Sequence, residues 1–81
     1  MRHHCTSRTD LDELIGLEDQ EEFRYGPLCQ AMKQGEELIL EDAAALPQLL
    51  LTKLAYLRHG LLIAETGERI VPHDRFRLSF A

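Results

Sequence analysis

Apolar positions in this chain come in short groups, and their period changes along its length. Leu11, Leu14 and Ile15 follow Thr9 and Asp10, which predicts an N-cap and one or two helical turns. Glu13 falls where a first turn favours an acid, and Gly16 can end the turn. Residues 17–22, LEDQEE, read as an acidic loop, and Phe23-Arg24-Tyr25 as a brief extended piece. Gly26-Pro27 opens a second helix, because proline at the first helical position gives up an N–H that would have no partner there. Leu28, Ala31 and Met32 share one face of it, and Gly35 suits a left-handed stop.

Leu38-Ile39-Leu40 is a compact apolar run, read as a buried strand over 37–41 that delivers Glu41 and Asp42 at its end. Pro47 starts a third helix over 47–58, in which Leu46, Leu50, Leu54 and Leu57 step by three and four. Beyond Gly60 the period becomes extended. Residues 61–71 predict a hairpin around Glu65-Thr66-Gly67-Glu68, with Gly67 at positive φ. Phe76, Leu78 and Phe80 alternate with Arg77 and Ser79 as in a strand over 76–80. Residues 1–8 are polar and predict a tail or an edge strand ahead of one unit over 9–81. The expected class is α/β, with a short, partly parallel sheet, two to three helices and a β-hairpin insertion.

Composition narrows the partners. A chain of 81 residues makes one small domain, which buries only ~60% of the surface its unfolded form exposes. The net charge of −5 and the scattered basic residues argue against nucleic acid. No apolar run approaches the ~18 residues of a membrane span, and the start lacks an apolar signal core. Cys5 and Cys29 form no disulfide framework, which fits reduced thiols and a cytoplasmic location. His3, His4 and Cys5 adjoin, with Cys29, His59 and His73 elsewhere, but no pair has the ligand spacing of a zinc site. The tail reading therefore leads for them, and Cys29 reads as a small core residue.

No glycine-rich phosphate loop of the G-x-x-x-x-G-K-[ST] kind occurs in the chain. Yet the order Thr9-Asp10-Leu11…Leu14-Ile15-Gly16, Gly26-Pro27-Leu28…Ala31-Met32…Gly35, Leu38-Ile39-Leu40-Glu41-Asp42-Ala43, Glu65-Thr66-Gly67-Glu68 and His73…Phe76-Arg77-Leu78 resembles the MoxR-type branch of AAA+ ATPases, the midasin- and chelatase-like group. The resemblance runs from about residue 7 to residue 81. It implies a P-loop NTPase core segment in which 37–42 is the Walker B strand, 61–71 an insertion hairpin and 76–80 a sensor-1-type strand. It implies that Glu41 stands where the family's Mg²⁺-holding Asp does, and Asp42 where the Glu that orients the attacking water does. Each carboxylate is thereby displaced by one methylene, about 1.5 Å, and a shift of ~1 Å at a catalytic group can cost ~10²-fold.

By the same resemblance the phosphate loop belongs upstream, and the sensor-1 Asn, arginine finger and lid lie beyond Ala81. The expectation is a segment or degenerate relative of an ATPase that remodels proteins or inserts metal cofactors, inactive alone, with Mg-ATP as the family's cofactor. An interaction module that docks on an AAA+ partner or its client is the alternative. The leucine face of residues 46–57 is core, but any part left uncovered would favour a protein partner or self-association.

Overall fold

A computed structural model describes all 81 residues. In chain order the elements are β1 (Arg2–His4), α1 (Leu11–Ile15), β2 (Gly16–Asp19), β3 (Glu22–Tyr25), α2 (Pro27–Gln34), β4 (Glu37–Glu41), a 3-10 turn (Ala43–Ala45), α3 (Gln48–Leu57), β5 (Leu61–Ile63), β6 (Glu68–Ile70) and β7 (Arg77–Phe80). The fold is α/β. Its centre is a parallel three-stranded sheet in the order β1-β4-β7, with Arg2 opposite Ile39 on one side and Leu38 opposite Leu78 on the other. Two antiparallel hairpins, β2–β3 and β5–β6, stand apart from that sheet. No helix is long and apolar enough to cross a membrane.

Strand order equals chain order, so both crossovers travel in the same direction across the sheet. Right-handed crossovers, the near-universal hand, then put both sets of helices on one side. The burial of β4 agrees. Leu38 and Leu40 are fully buried, whereas Glu37 is exposed and Ile39 and Glu41 are half-buried. The expectation of a strand buried on both faces is therefore corrected: the E-L-I-L-E alternation marks a strand with one covered face. On the covered side, one core of 17 residues joins Leu14, Leu28, Met32, Leu50 and Leu54 of the helices to Ile63 and Ile70 of the second hairpin. Truncating a residue such as Leu54 would cost about 2–5 kcal/mol.

Two helix boundaries follow their local signals. Gly26 and Pro27 begin α2, and Gly35 ends it at φ 72, its N–H bonded to the Ala31 carbonyl. A side chain at Gly35 would also meet the His73 ring at 2.5 Å. His73 is thus packed on the helix cap, and its Nδ1 accepts from the Arg75 N–H at 3.1 Å.

Other expectations change. The acidic stretch 17–22 is no loop but most of hairpin β2–β3, turned by Gln20 (φ 50) and Glu21 (φ 69). A two-residue turn at positive φ usually announces itself with Asn or Gly, which this one lacks. The N-terminal residues take the edge-strand alternative, and Cys5 is buried rather than in a solvated tail. Phe80 continues the alternation of Phe76 and Leu78 but is 45% exposed at the sheet margin.

Candidate functional site

In an open parallel sheet, ligands meet the carboxyl ends of the strands, because helix starts and loops converge there. At that end of the central sheet the chain places Glu41, Asp42, His4 and the turn after Cys5. The parallel register sets His4 opposite Glu41, and the Cys5 N–H donates to the Glu41 carbonyl at 2.8 Å. Arg2 Nη1 lies 3.2 Å from Glu41 Oε2, and His4 Nδ1 lies 3.3 Å from Asp42 Oδ2. Each acid of the pair thus has its own basic neighbour on β1.

These contacts are wet. The side chains of Arg2 and Glu41 are 62% and 42% exposed, and His4 and Asp42 are similarly open. Such pairs contribute about 0–1 kcal/mol each. Asp42 has a left-handed backbone, φ 56 and ψ 41, and heads the 3-10 turn without a side-chain capping bond. The alternative of Asp42 as a side-chain cap is therefore not what this conformation shows. Its carbonyl accepts from Ala45, and the Ala43 N–H reaches across to the Ala81 carbonyl at 3.1 Å, tying the ends of β4 and β7 together.

The other sequence candidates do not converge. His3 pairs with Glu13 of α1 while His4 faces Asp42, the opposed orientation of strand neighbours. Cys5 is buried between them, and burial first, then the charges of Glu13 and Asp42, raises its thiol. No group of three or more His, Cys, Asp or Glu side chains is arranged to hold a metal ion. Cys29 is a core residue, as its helix position implied, and burial pushes its thiol up to about 11.

A second cluster went unread in the sequence. Tyr25 of β3, Lys33 of α2 and Glu68 of β6 meet although Glu68 is 43 residues from Tyr25. The Tyr25 hydroxyl donates to Glu68 Oε1, Lys33 Nζ donates to Glu68 Oε2 at 3.1 Å, and the ammonium sits 4.2 Å from the Tyr25 ring centroid. Tyr25 first and Lys33 second hold the Glu68 carboxyl below its usual range. Tyr25 and Glu68 in turn favour the charged form of Lys33. Tyr25, Cys29 and Lys33 are spaced by four, a helical-face signal present in the sequence; nothing local pointed to Glu68. The cluster ties hairpin β5–β6 to α2.

No protein-family model matches this chain, and no curated protein aligns with it.

Proposed function

We propose that the chain is a segment, or a degenerate relative, of a MoxR-type AAA+ ATPase core. It would carry the Walker B strand, the insertion hairpin and the sensor-1-type strand of a machine that remodels proteins or inserts a metal cofactor. One observation carries this reading. The strand ending in Glu41 and Asp42 is the middle of a parallel sheet, and the strand that the resemblance assigns to sensor 1 is its parallel neighbour. A water-orienting carboxylate and a phosphate sensor act on one γ-phosphate, so their strands need to end on the same side of a sheet, as β4 and β7 do.

The residues present do not by themselves fit Mg-ATP. Phosphoryl transfer relies on a backbone cradle, a lysine and Mg²⁺ working together. Here two acids stand without a phosphate loop, each beside a base from β1. In this reading the 81-residue polypeptide is not an ATPase on its own. Titrating it with Mg-ATP while following its amide ¹H–¹⁵N spectrum tests the claim. Dispersed peaks that ignore nucleotide are expected, and saturable shifts centred on Glu41 and Asp42 would overturn it.

The second reading, an interaction module in a cytoplasmic assembly, has its own support. Leu49 and Tyr56 on α3 and Leu62 and Val71 on the second hairpin are 57–75% exposed. A surface helix usually turns polar residues outward, and α3 has Lys53 as the only charged residue of its ten. A pull-down with a full-length AAA+ partner that recovers nothing, under conditions where the chain is folded, would count against this reading.

A further inference from the structure

The two edges of the central sheet are closed in different ways. In a parallel pair, alternate residues of an edge strand turn their N–H and C=O inward to the neighbour and the rest turn outward. On β7 the Arg77 N–H donates to Glu36 and the Ala81 N–H to Leu40, so residues 77, 79 and 81 face β4. Leu78 and Phe80 therefore present their backbone groups to the open edge. One of them is taken: Arg58, just after α3, donates from Nη2 to the Leu78 carbonyl at 3.3 Å. On β1 the same reasoning turns Arg2 and His4 outward, and their charged side chains blunt that edge. Strand β7 is covered only by a side chain that can swing away.

From this we infer that the outer edge of β7 is a self-association surface gated by Arg58, and that its occupant is a second copy of the same strand. The hydrogen-bond pattern is self-complementary. Antiparallel pairing about a two-fold axis through Ser79 sets Leu78 opposite Phe80 of the other copy. Residues facing each other in that pattern exchange both of their backbone bonds. Leu78 and Phe80 lie on the same face by strand alternation, so pairing also covers Phe80, now 45% exposed, with the apolar side chain opposite it. Arg58 occupies the Leu78 carbonyl that the incoming strand needs. Four residues a side bury less than the ~1,200 Å² of a stable interface, so the dimer is weak and the guard decides whether it is populated. This inference stands on sheet geometry alone and holds under either functional reading.

The test is the dissociation constant by sedimentation equilibrium for the unaltered chain, Arg58→Ala, and Arg58→Ala combined with Phe80→Pro. Removing the guard should tighten dimerisation about tenfold, the size of a charge-assisted hydrogen bond that no longer competes. Proline at 80 removes an outward N–H that β4 does not use, and edge strands accept it, so it should abolish the dimer and leave the monomer folded. In the unaltered chain, the Leu78 and Phe80 amides should gain exchange protection as concentration rises, while the Arg2 and His4 amides should not. An Arg58→Ala chain that stays monomeric at millimolar concentration, or a dimer insensitive to Phe80→Pro, would overturn the inference. Should a variant unfold, the concentration dependence of the Leu78 and Phe80 amides in the unaltered chain decides alone.

Discussion

The Glu41–Asp42 pair and the Tyr25–Lys33–Glu68 cluster are both small groups of charge on the surface, but they are built oppositely. The first consists of sequence neighbours, and its basic partners come from one adjacent strand at 3.2 and 3.3 Å with open access to water. The second draws one residue from each of three elements, and Glu68 is engaged from two sides at once. Proximity in sequence makes a pair conspicuous without making it tight. Convergence from separate elements makes a cluster tight while hiding it from the sequence.

The contrast is sharpest against the apolar layer beneath. Leu40 directly precedes Glu41 and is fully buried, so Leu40→Ala should cost about 2–5 kcal/mol in urea unfolding, more than any change to either charged group. Next comes Gly35→Ala. The left-handed backbone alone costs about 1–2 kcal/mol, and the His73 ring 2.5 Å from the new Cβ adds to it. A companion His73→Ala change should recover the steric part, which thermal melts of the single and double variants would separate.

The Tyr25 cluster should show itself through pH. Glu68 is held below its ordinary 4.5, so it adds stability above 4.5 that is lost as pH falls through its lower folded value. At the other end, the unfolded Cys29 thiol ionises from 9.0 while the buried one stays neutral to about 11. Stability should therefore decline as pH rises across that interval. Lys33, held above 10.5, extends the loss further into alkali. Tyr25→Phe should move the Glu68 carboxyl back toward 4.5 in a ¹³C-detected titration and speed amide exchange in β6. A carboxyl that does not move would mean that Tyr25 contributes nothing to the cluster. The smallest effect belongs to the conspicuous pair. Glu41→Gln with Asp42→Asn should change stability by no more than about 0.5 kcal/mol, because both ion pairs are solvent-screened. A loss several times larger would erase the contrast between the two groups.

Local chemistry accounts for what could be read in advance. Gly26-Pro27 and Gly35 bracket α2, Gly67 turns the second hairpin at φ 74, and the step of leucines marks α3. Strand β4 was legible as a strand but not as a one-faced one. The apolar run Leu38-Ile39-Leu40 looks continuous, and only the sheet order shows that Ile39 turns away from the helices. The first hairpin escaped because its turn residues, Gln20 and Glu21, carry none of the usual turn chemistry. Of the candidate site, the sequence carried the adjacency of Glu41 and Asp42. Their partners Arg2 and His4, some 37 residues away along the chain, depend on the register of β1 against β4, which no local pattern encodes.

That register has a kinetic side. Arg2 pairs with Ile39 and Glu37 with Arg77, separations of 37 and 40 residues, whereas the two hairpins close within ten. The hairpins and α2 can form from local contacts, but the central sheet gains no strand pair until a long crossover has closed, and long-range closure is the slow step in small domains. Glu41, Asp42, Arg2 and His4 would then be assembled last. In pulse-labelled refolding, the amides of β2, β3, β5 and β6 should be protected before the Cys5 and Ala81 amides that bond to β4, and simultaneous protection of all of them would exclude such an order.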